Sequence, residues 1–351
     1  MTNNRILYWD FIRGVAIFLV VWGHTIQFLT NKYYWDNPIG VFITSLHMPL
    51  FMMISGYFAY SALHKTINNT IRKKFIQLIV PSITIYILTG LILILLKKGN
   101  YLQNITQLCI GSFSSYWFLK TLFIYYILMM CFYKTWIKNK ISAILITIIL
   151  LILCRNNLDY IHIISMLPYF ICGLILRKYM SNNNKLNFKK HKQEYILFIS
   201  SLLLYILFFS AYNIEWYNMY NNPFILNTES LYKYVIRSII GLCGAFSLII
   251  ILREIYYRLS AIKFKRYTAH IGTMTLGIYV LHHRNLDVLS NKLFAQNIDC
   301  FNPAKGTFFE QWFYAILICI PIALIFIGLC IIAINIIRKS SISKLILLGE
   351  K

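Results

Sequence analysis

Apolar positions in this chain do not alternate with polar ones; they run on. Stretches of spanning length recur at roughly 11–30, 45–63, 75–96, 116–133, 141–154, 160–176, 194–212, 231–252, 269–290 and 311–337. A hydrocarbon layer takes about 20 residues of helix to cross, and a helix closes its backbone hydrogen bonds within one segment. The pattern predicts an all-α polytopic membrane helix bundle of about ten transmembrane helices. No polar stretch between them exceeds about 20 residues. Residues 1–340 are therefore read as one transmembrane domain and 341–351 as a short cytoplasmic tail, with no appended soluble domain.

The first apolar run follows one early basic residue, Arg5, and lacks a small-residue cleavage site, so it reads as a retained helix. No internal repeat is visible, which counts mildly against a secondary transporter built from inverted repeats.

Composition agrees with the membrane reading. The chain is 59% hydrophobic and 13% charged, with a mean hydropathy of +0.63, outside the range of ordinary soluble domains. A formal charge of +23 invites nucleic acid as a partner, but the distribution argues otherwise. Of the 34 Lys and Arg, 24 fall in the segments that face one side if the N-terminus is inside. This is a positive-inside bias, and it places both termini in the cytoplasm with no nucleic-acid partner. A basic inner face also attracts a polyanionic cytoplasmic ligand. The eight cysteines include no CxxC pair and read as small packing residues. Cys109 and Cys300, both in expected outer loops, could pair only if the fold joins them.

The outer stretch "NIEWYNMYNNPFILNTES" at 213–230 has two glutamates, no Lys or Arg, and Trp216, Tyr217, Tyr220 and Phe224. Aromatics beside amides and carboxylates suit the apolar face and hydroxyls of a sugar, and suit interfacial anchoring equally well.

Charge inside an apolar helix costs about 2.5–3.5 kcal/mol on insertion scales, so such residues face a bundle interior or a pathway. In "YWDFIRGVAIFLVVWGH", Arg13 and His24 are separated by ten residues. At 100° per residue they lie about 20° apart on the wheel and about 16 Å apart along the axis, with Asp10 about 40° from His24. The three form one polar stripe. Asp10 and Arg13 are also placed to make a simple interfacial pair, and His24 to act as a general base, since imidazole titrates near neutrality. His47 starts the second helix from the outer side, at a depth comparable with His24. Tyr279 and His282 share one face of the ninth. Lys120, the pair Lys233 and Arg237, and Arg284 with Asp287 read as buried or snorkelling charges. No metal site is expected, because the histidines are scattered and acidic residues in the spans nearly absent.

These stretches, taken in order, resemble the acyltransferase-3 family of bacterial membrane acyltransferases. "YWDFIRGVAIFLVVWGH" is similar to its first helix, with an arginine, ten residues and a histidine. "LHMPLFMMISGYF" resembles the second helix of its sugar or fucose O-acetylase branch. "IRKKFIQLIVP" is similar to its basic loop before a proline, "YWFLKTLFIYY" to its Trp-Phe-Leu helix, and "LPYFICGLIL" and "IGTMTLGIYVLH" to later patterns. The C-terminal extracytoplasmic hydrolase-like domain of larger family members is not expected here.

The resemblance implies acyl transfer from cytoplasmic acetyl-CoA, a co-substrate, to a hydroxyl of a glycan or lipid-linked saccharide across the bacterial inner membrane. The mechanism expected from these residues has His24 as base, Arg13 as the group that holds phosphate or orients the donor, and Asp10 as its positioner. Arg72, Lys73 and Lys74 join Arg13 in donor binding; His47, Tyr279 or His282 serves the acceptor or the oxyanion. Trp117 and Ser55 carry over as motif positions only. An acetyl-histidine intermediate stays open, as does a transporter or flippase for a glycan precursor or small solute, or a structural subunit of an export complex. The acceptor sugar, the exact acyl group and the oligomeric state are not encoded in these patterns.

Overall fold

The computed structural model describes residues 7–30, 37–96, 116–139, 141–142, 160–182, 192–210, 228–289 and 308–350. Among them the regular structure is helical throughout. The helices are α1 (Leu7–Thr30), α2 (Pro38–Ala59), α3 (Ile67–Lys74), α4 (Val80–Leu96), α5 (Trp117–Lys138), α6 (Tyr160–Asn182) and α7 (Lys192–Ser210), followed by α8 (Thr228–Arg258), α9 (Ile262–Thr273), α10 (Thr275–Leu289), α11 (Phe308–Phe313), α12 (Cys319–Ile337) and α13 (Ser341–Leu348). Six helical segments are long and apolar enough to cross a membrane: Leu7–Leu29, Pro38–Ala62, Ile67–Leu91, Trp117–Thr135, Tyr232–Arg258 and Glu310–Ile337. The protein is a polytopic helical membrane protein.

These six overlap six of the expected spans, but the second and third begin earlier, at Pro38 and Ile67, so that His47 lies inside α2 rather than at its start. Of the other four, 141–154 lies almost wholly outside the described residues. The stretch 160–176 falls within α6, and 194–212 meets α7, whose apolar part Tyr195–Ser210 is shorter than a full crossing. The expected helix 269–290 is broken in two. The Thr273 hydroxyl donates to the His270 carbonyl at 2.8 Å, and the Met274 amide turns to Ile271 at 2.9 Å. The Met274 amide therefore closes a tighter turn in place of the α-helical bond to His270, and the helix stops there before a new one starts at Thr275.

The described helices gather into two compact units, Met1–Ile54 with Asn182–Ile334, and Ser55–Ser181 with Asn335–Lys351. In the first, α1 packs along α9 and α10, and α7 along α8. Two glycines set the α1–α9 contact. A Cβ on Gly14 would overlap the Thr268 carbonyl, and one on Gly272 would overlap the Asp10 carbonyl. Helix backbones meet there as small-residue packing in membranes allows. Asn37 caps α2, accepting from the Ile39 and Gly40 amides at 3.0 and 3.1 Å ahead of Pro38, while its Nδ2 donates to Gln311. Trp22 Nε1 donates to the Ala315 carbonyl at 2.8 Å and ties α1 to the turn before α12.

Helix α12 shows what faces lipid. Cys319, Ala323, Ile327, Cys330 and Ile334 recur at helical spacing and are buried, whereas Leu324, Ile325, Leu329 and Ile332 are exposed. A helix apolar on both faces belongs in hydrocarbon. A π turn, Tyr314–Ile318, precedes it shortly before Pro321, and a matching one, Phe75–Ile79, precedes Pro81 in the second unit. Each proline lacks the amide an α-helical ladder requires, and the preceding turn widens.

In the second unit, a Cβ on Gly56 would overlap the Phe170 carbonyl, so α2 and α6 meet closely there. The stretch read as a tail contains α13, capped by Ser340 at its start and closed by Gly349 at φ 65°. Arg338 holds Glu350 through two hydrogen bonds, at 2.9 and 2.6 Å.

Candidate functional site

Helix α1 carries polar chemistry at both ends of one face. Near its start, Asp10 is buried and accepts from Arg13 Nη1 at 3.2 Å; the Arg13 side chain is only partly covered. Gly14 and Gly272 seat α9 directly on this turn, so the backbone beneath the ion pair is clamped.

At the other end, His24 is half-buried and faces α10. Its ring centroid lies 5.3 Å from that of His282, which is fully buried, and Tyr279 lies 5.8 Å from His282 on the same helix. Three of the expected site residues therefore gather around one point, from two helices. On its own helix, His24 Nδ1 is 3.0 Å from Gln27 Oε1, and Phe28 packs beside the ring at 6.1 Å.

Hydrogen bonds choose the tautomer of two of the histidines. His282 Nδ1 lies 2.9 Å from the Ile278 carbonyl, and His47 Nδ1 lies 2.7 Å from the Ile43 carbonyl. A carbonyl accepts only, so Nδ1 carries the proton in both. With Nδ1 protonated, Nε2 is the acceptor atom of each neutral ring, and in His282 that atom is buried. Tyr279, by contrast, has a hydroxyl to donate.

The second unit holds the basic residues assigned to the donor. On α3, Arg72 and Lys73 are exposed, while the Lys74 ammonium lies over the Tyr126 ring at 4.4 Å. That contact engages Lys74 in a cation–π interaction and leaves Arg72 and Lys73 as the more open charges. Ser55 is half-buried within α2.

The same unit contains an arrangement that motif reading passes over. Trp117 stacks on His162 with centroids 4.1 Å apart and planes at 21°. The preceding Tyr116, buried, takes left-handed φ and ψ of 56° and 43°. That conformation costs a residue other than glycine on the order of 1–3 kcal/mol, and it sets where Trp117 enters its helix. Nothing in the spacing of Trp117 and His162 announces the stack. Gln27, three residues beyond His24, was visible as a polar neighbour on the same helix face.

Lys120, Lys233 and Arg237 are half-buried within their helices. The side chains of Arg284 and Asp287, the outer stretch 213–227, and Cys109 and Cys300 lie outside the described residues. Among the described residues, no group of three or more His, Cys, Asp or Glu is placed to hold a metal ion.

A family model described as an acyltransferase domain matches residues 6–344. Two curated relatives are both nodulation protein NolL. That of Mesorhizobium japonicum is 35% identical over 136 residues, which is 36% of this chain and 36% of the relative. That of Sinorhizobium fredii is 37% identical over 83 residues, covering 22% of this chain and 23% of the relative. The aligned stretches thus span about a third and a quarter of the length of these relatives. No solved structure matches the chain.

Proposed function

Because this chain belongs to the acyltransferase-3 family and is a multi-pass membrane acyltransferase, we propose that it moves an acetyl group from cytoplasmic acetyl-CoA to a hydroxyl of a cell-surface polysaccharide or lipid-linked glycan. The observation that carries this reading is the meeting of His24 with His282 and Tyr279, on the helix that also bears the Asp10–Arg13 pair. A base and a hydrogen-bonding wall stand at one end of α1, and a cation stands at the other. In this reading the chain crosses the bacterial inner membrane about ten times with both termini inside.

The chemistry follows from the parts. The acceptor hydroxyl gives its proton to His24 Nε2 as its oxygen attacks the acetyl carbonyl. Tyr279 donates a hydrogen bond to the oxyanion of the tetrahedral intermediate. The carbon–sulfur bond then breaks, and the thiolate of coenzyme A takes the proton back from His24, leaving free thiol and a sugar ester. His282 or His47 accepts from hydroxyls of the acceptor and orients it. Arg13, aligned by Asp10, orients the donor, and Arg72, Lys73 and Lys74 attract its phosphates. Sugar as acceptor is supported by the resemblance of "LHMPLFMMISGYF" to the second helix of the O-acetylase branch.

The test is release of coenzyme A thiol from acetyl-CoA by purified protein, with and without a glycan extract of the host, for wild type and His24→Ala. Extract-dependent release that disappears in a folded His24→Ala supports the reading. Donor binding with no release above background, despite a verified extract, sinks it in favour of transport. Release without extract, as a single burst equal to the enzyme present, points instead to an acetyl-histidine intermediate.

A further inference from the structure

An imidazole acts as a base only at the nitrogen that carries no proton, and the partner of the other nitrogen decides which one that is. His24 Nδ1 lies 3.0 Å from Gln27 Oε1. An amide oxygen accepts and cannot donate, so the proton sits on Nδ1 and the lone pair is at Nε2. We propose that Gln27 is a positioning residue for the transfer reaction, holding His24 in the tautomer that presents Nε2 to the acceptor hydroxyl; this rests on the reading of His24 as the base.

The geometry makes the role local and cheap. Residues three apart on a helix share a face, so α1 itself sets the spacing and no distant element is needed. Phe28 at 6.1 Å and His282 at 5.3 Å flank the ring and limit its rotation. They hold the ring; the amide selects the nitrogen. His282 needs no such partner, because a carbonyl of its own helix already takes its Nδ1 proton.

The proton balance is simple. When the acceptor O–H bond breaks and the new C–O bond forms, the proton goes to His24 Nε2 and the ring becomes a cation with both nitrogens protonated. The Nδ1–H bond to Gln27 is then charge-assisted and shorter, which stabilises the cation. As the C–S bond breaks, Nε2 returns that proton to the leaving thiolate. Gln27 itself forms and breaks no covalent bond.

Three substitutions separate acceptor, neutral and donor side chains at position 27. Gln27→Glu keeps an oxygen that accepts, Gln27→Met removes the hydrogen bond at similar size, and Gln27→Lys supplies donors only. Each would be assayed for kcat and for KM toward acetyl-CoA, with a host glycan extract. In parallel, protein labelled with 15N-histidine would report which His24 nitrogen is protonated, the signal being assigned by its loss in His24→Ala. Gln27→Glu is expected to retain wild-type kcat within a few-fold. Gln27→Met and Gln27→Lys should lose about 10–100-fold in kcat, the range seen when outer-shell partners of metal-bound histidines are removed. Their KM for the donor should be unchanged, and the His24 proton should shift toward Nε2. Gln27 is exposed, so the variants are expected to fold.

Wild-type kcat in Gln27→Met, or a fall in kcat with the Nδ1 proton undisturbed, overturns the inference. Should His24→Ala stay active, the reading beneath it fails, and the 15N spectra would still show whether Gln27 sets the tautomer. Should His24→Ala be inactive while Gln27→Met is fully active, this inference alone falls.

Discussion

The two ends of α1 are held in opposite ways. At Asp10–Gly14 the helix is locked backbone to backbone on α9, with no room for a single added carbon at Gly14 or Gly272, and Asp10 is 3% exposed. About 16 Å further along the axis, His24 is half-buried, and the side chains of Gln27, Phe28 and His282 lie against it. Close backbone packing leaves few alternative arrangements, whereas side-chain contacts permit a ring to exchange protons and admit a substrate. The comparison teaches a division of labour, in which the clamped end fixes the height and rotation of the helix and the open end carries the proposed base.

The largest break in that comparison should come from Gly272→Val. The added carbons meet a main-chain carbonyl that cannot swing aside, so α1 and α9 must separate at a cost of about 3 kcal/mol or more. Little folded protein should survive extraction, and the thermal unfolding midpoint of what does should drop by many degrees. A midpoint equal to wild type would mean that the α1–α9 clamp is not what positions the helix.

At the open end, His24→Ala should leave the unfolding midpoint within a degree or two while lowering kcat for thiol release about 10²–10⁴-fold, the contribution of a general base. Activity lost only in step with folded protein would remove the contrast between the ends.

A smaller effect is expected from His282→Leu. It removes an acceptor of roughly one hydrogen bond, so kcat/KM for the glycan extract should fall about tenfold. The donor KM is expected to hold, and a rise in it would move His282 to the donor side.

The smallest belongs to Asp10→Asn, which preserves shape at the clamped end but removes the charge beside Arg13. With Arg13 partly solvated, the pair is worth below about 1 kcal/mol, and KM for acetyl-CoA should rise roughly 2–5-fold at constant kcat. A loss of kcat instead would show that the arginine aligns the reacting group rather than the donor's phosphates.

Much of the site was legible as pattern. The stripe of Asp10, Arg13 and His24 follows from helical rotation alone, and Tyr279 with His282 follows from a spacing of three. The basic run Arg72, Lys73 and Lys74 was readable too, but not the seat of Lys74 over Tyr126. What failed was continuity: residues 269–290 have the hydropathy of one span, yet the Met274 amide bonds the Ile271 carbonyl instead of that of His270 and the helix breaks there. Hydropathy registers the thickness to be crossed and is blind to a single diverted hydrogen bond.

By itself the amino-acid sequence determined that this chain is helical and membrane-embedded, and which side chains share a face of α1, because helix rotation and transfer from water act on neighbours along the chain. Only the tertiary structure decided that His24 meets His282, that Trp117 stacks on His162, and that Gly14 and Gly272 let α9 close onto Asp10. Those contacts join residues far apart in the chain, and they depend on how helices pack. In a membrane that packing is driven by close fit and a few polar contacts rather than by hydrophobicity, and apolar patterning carries no record of it.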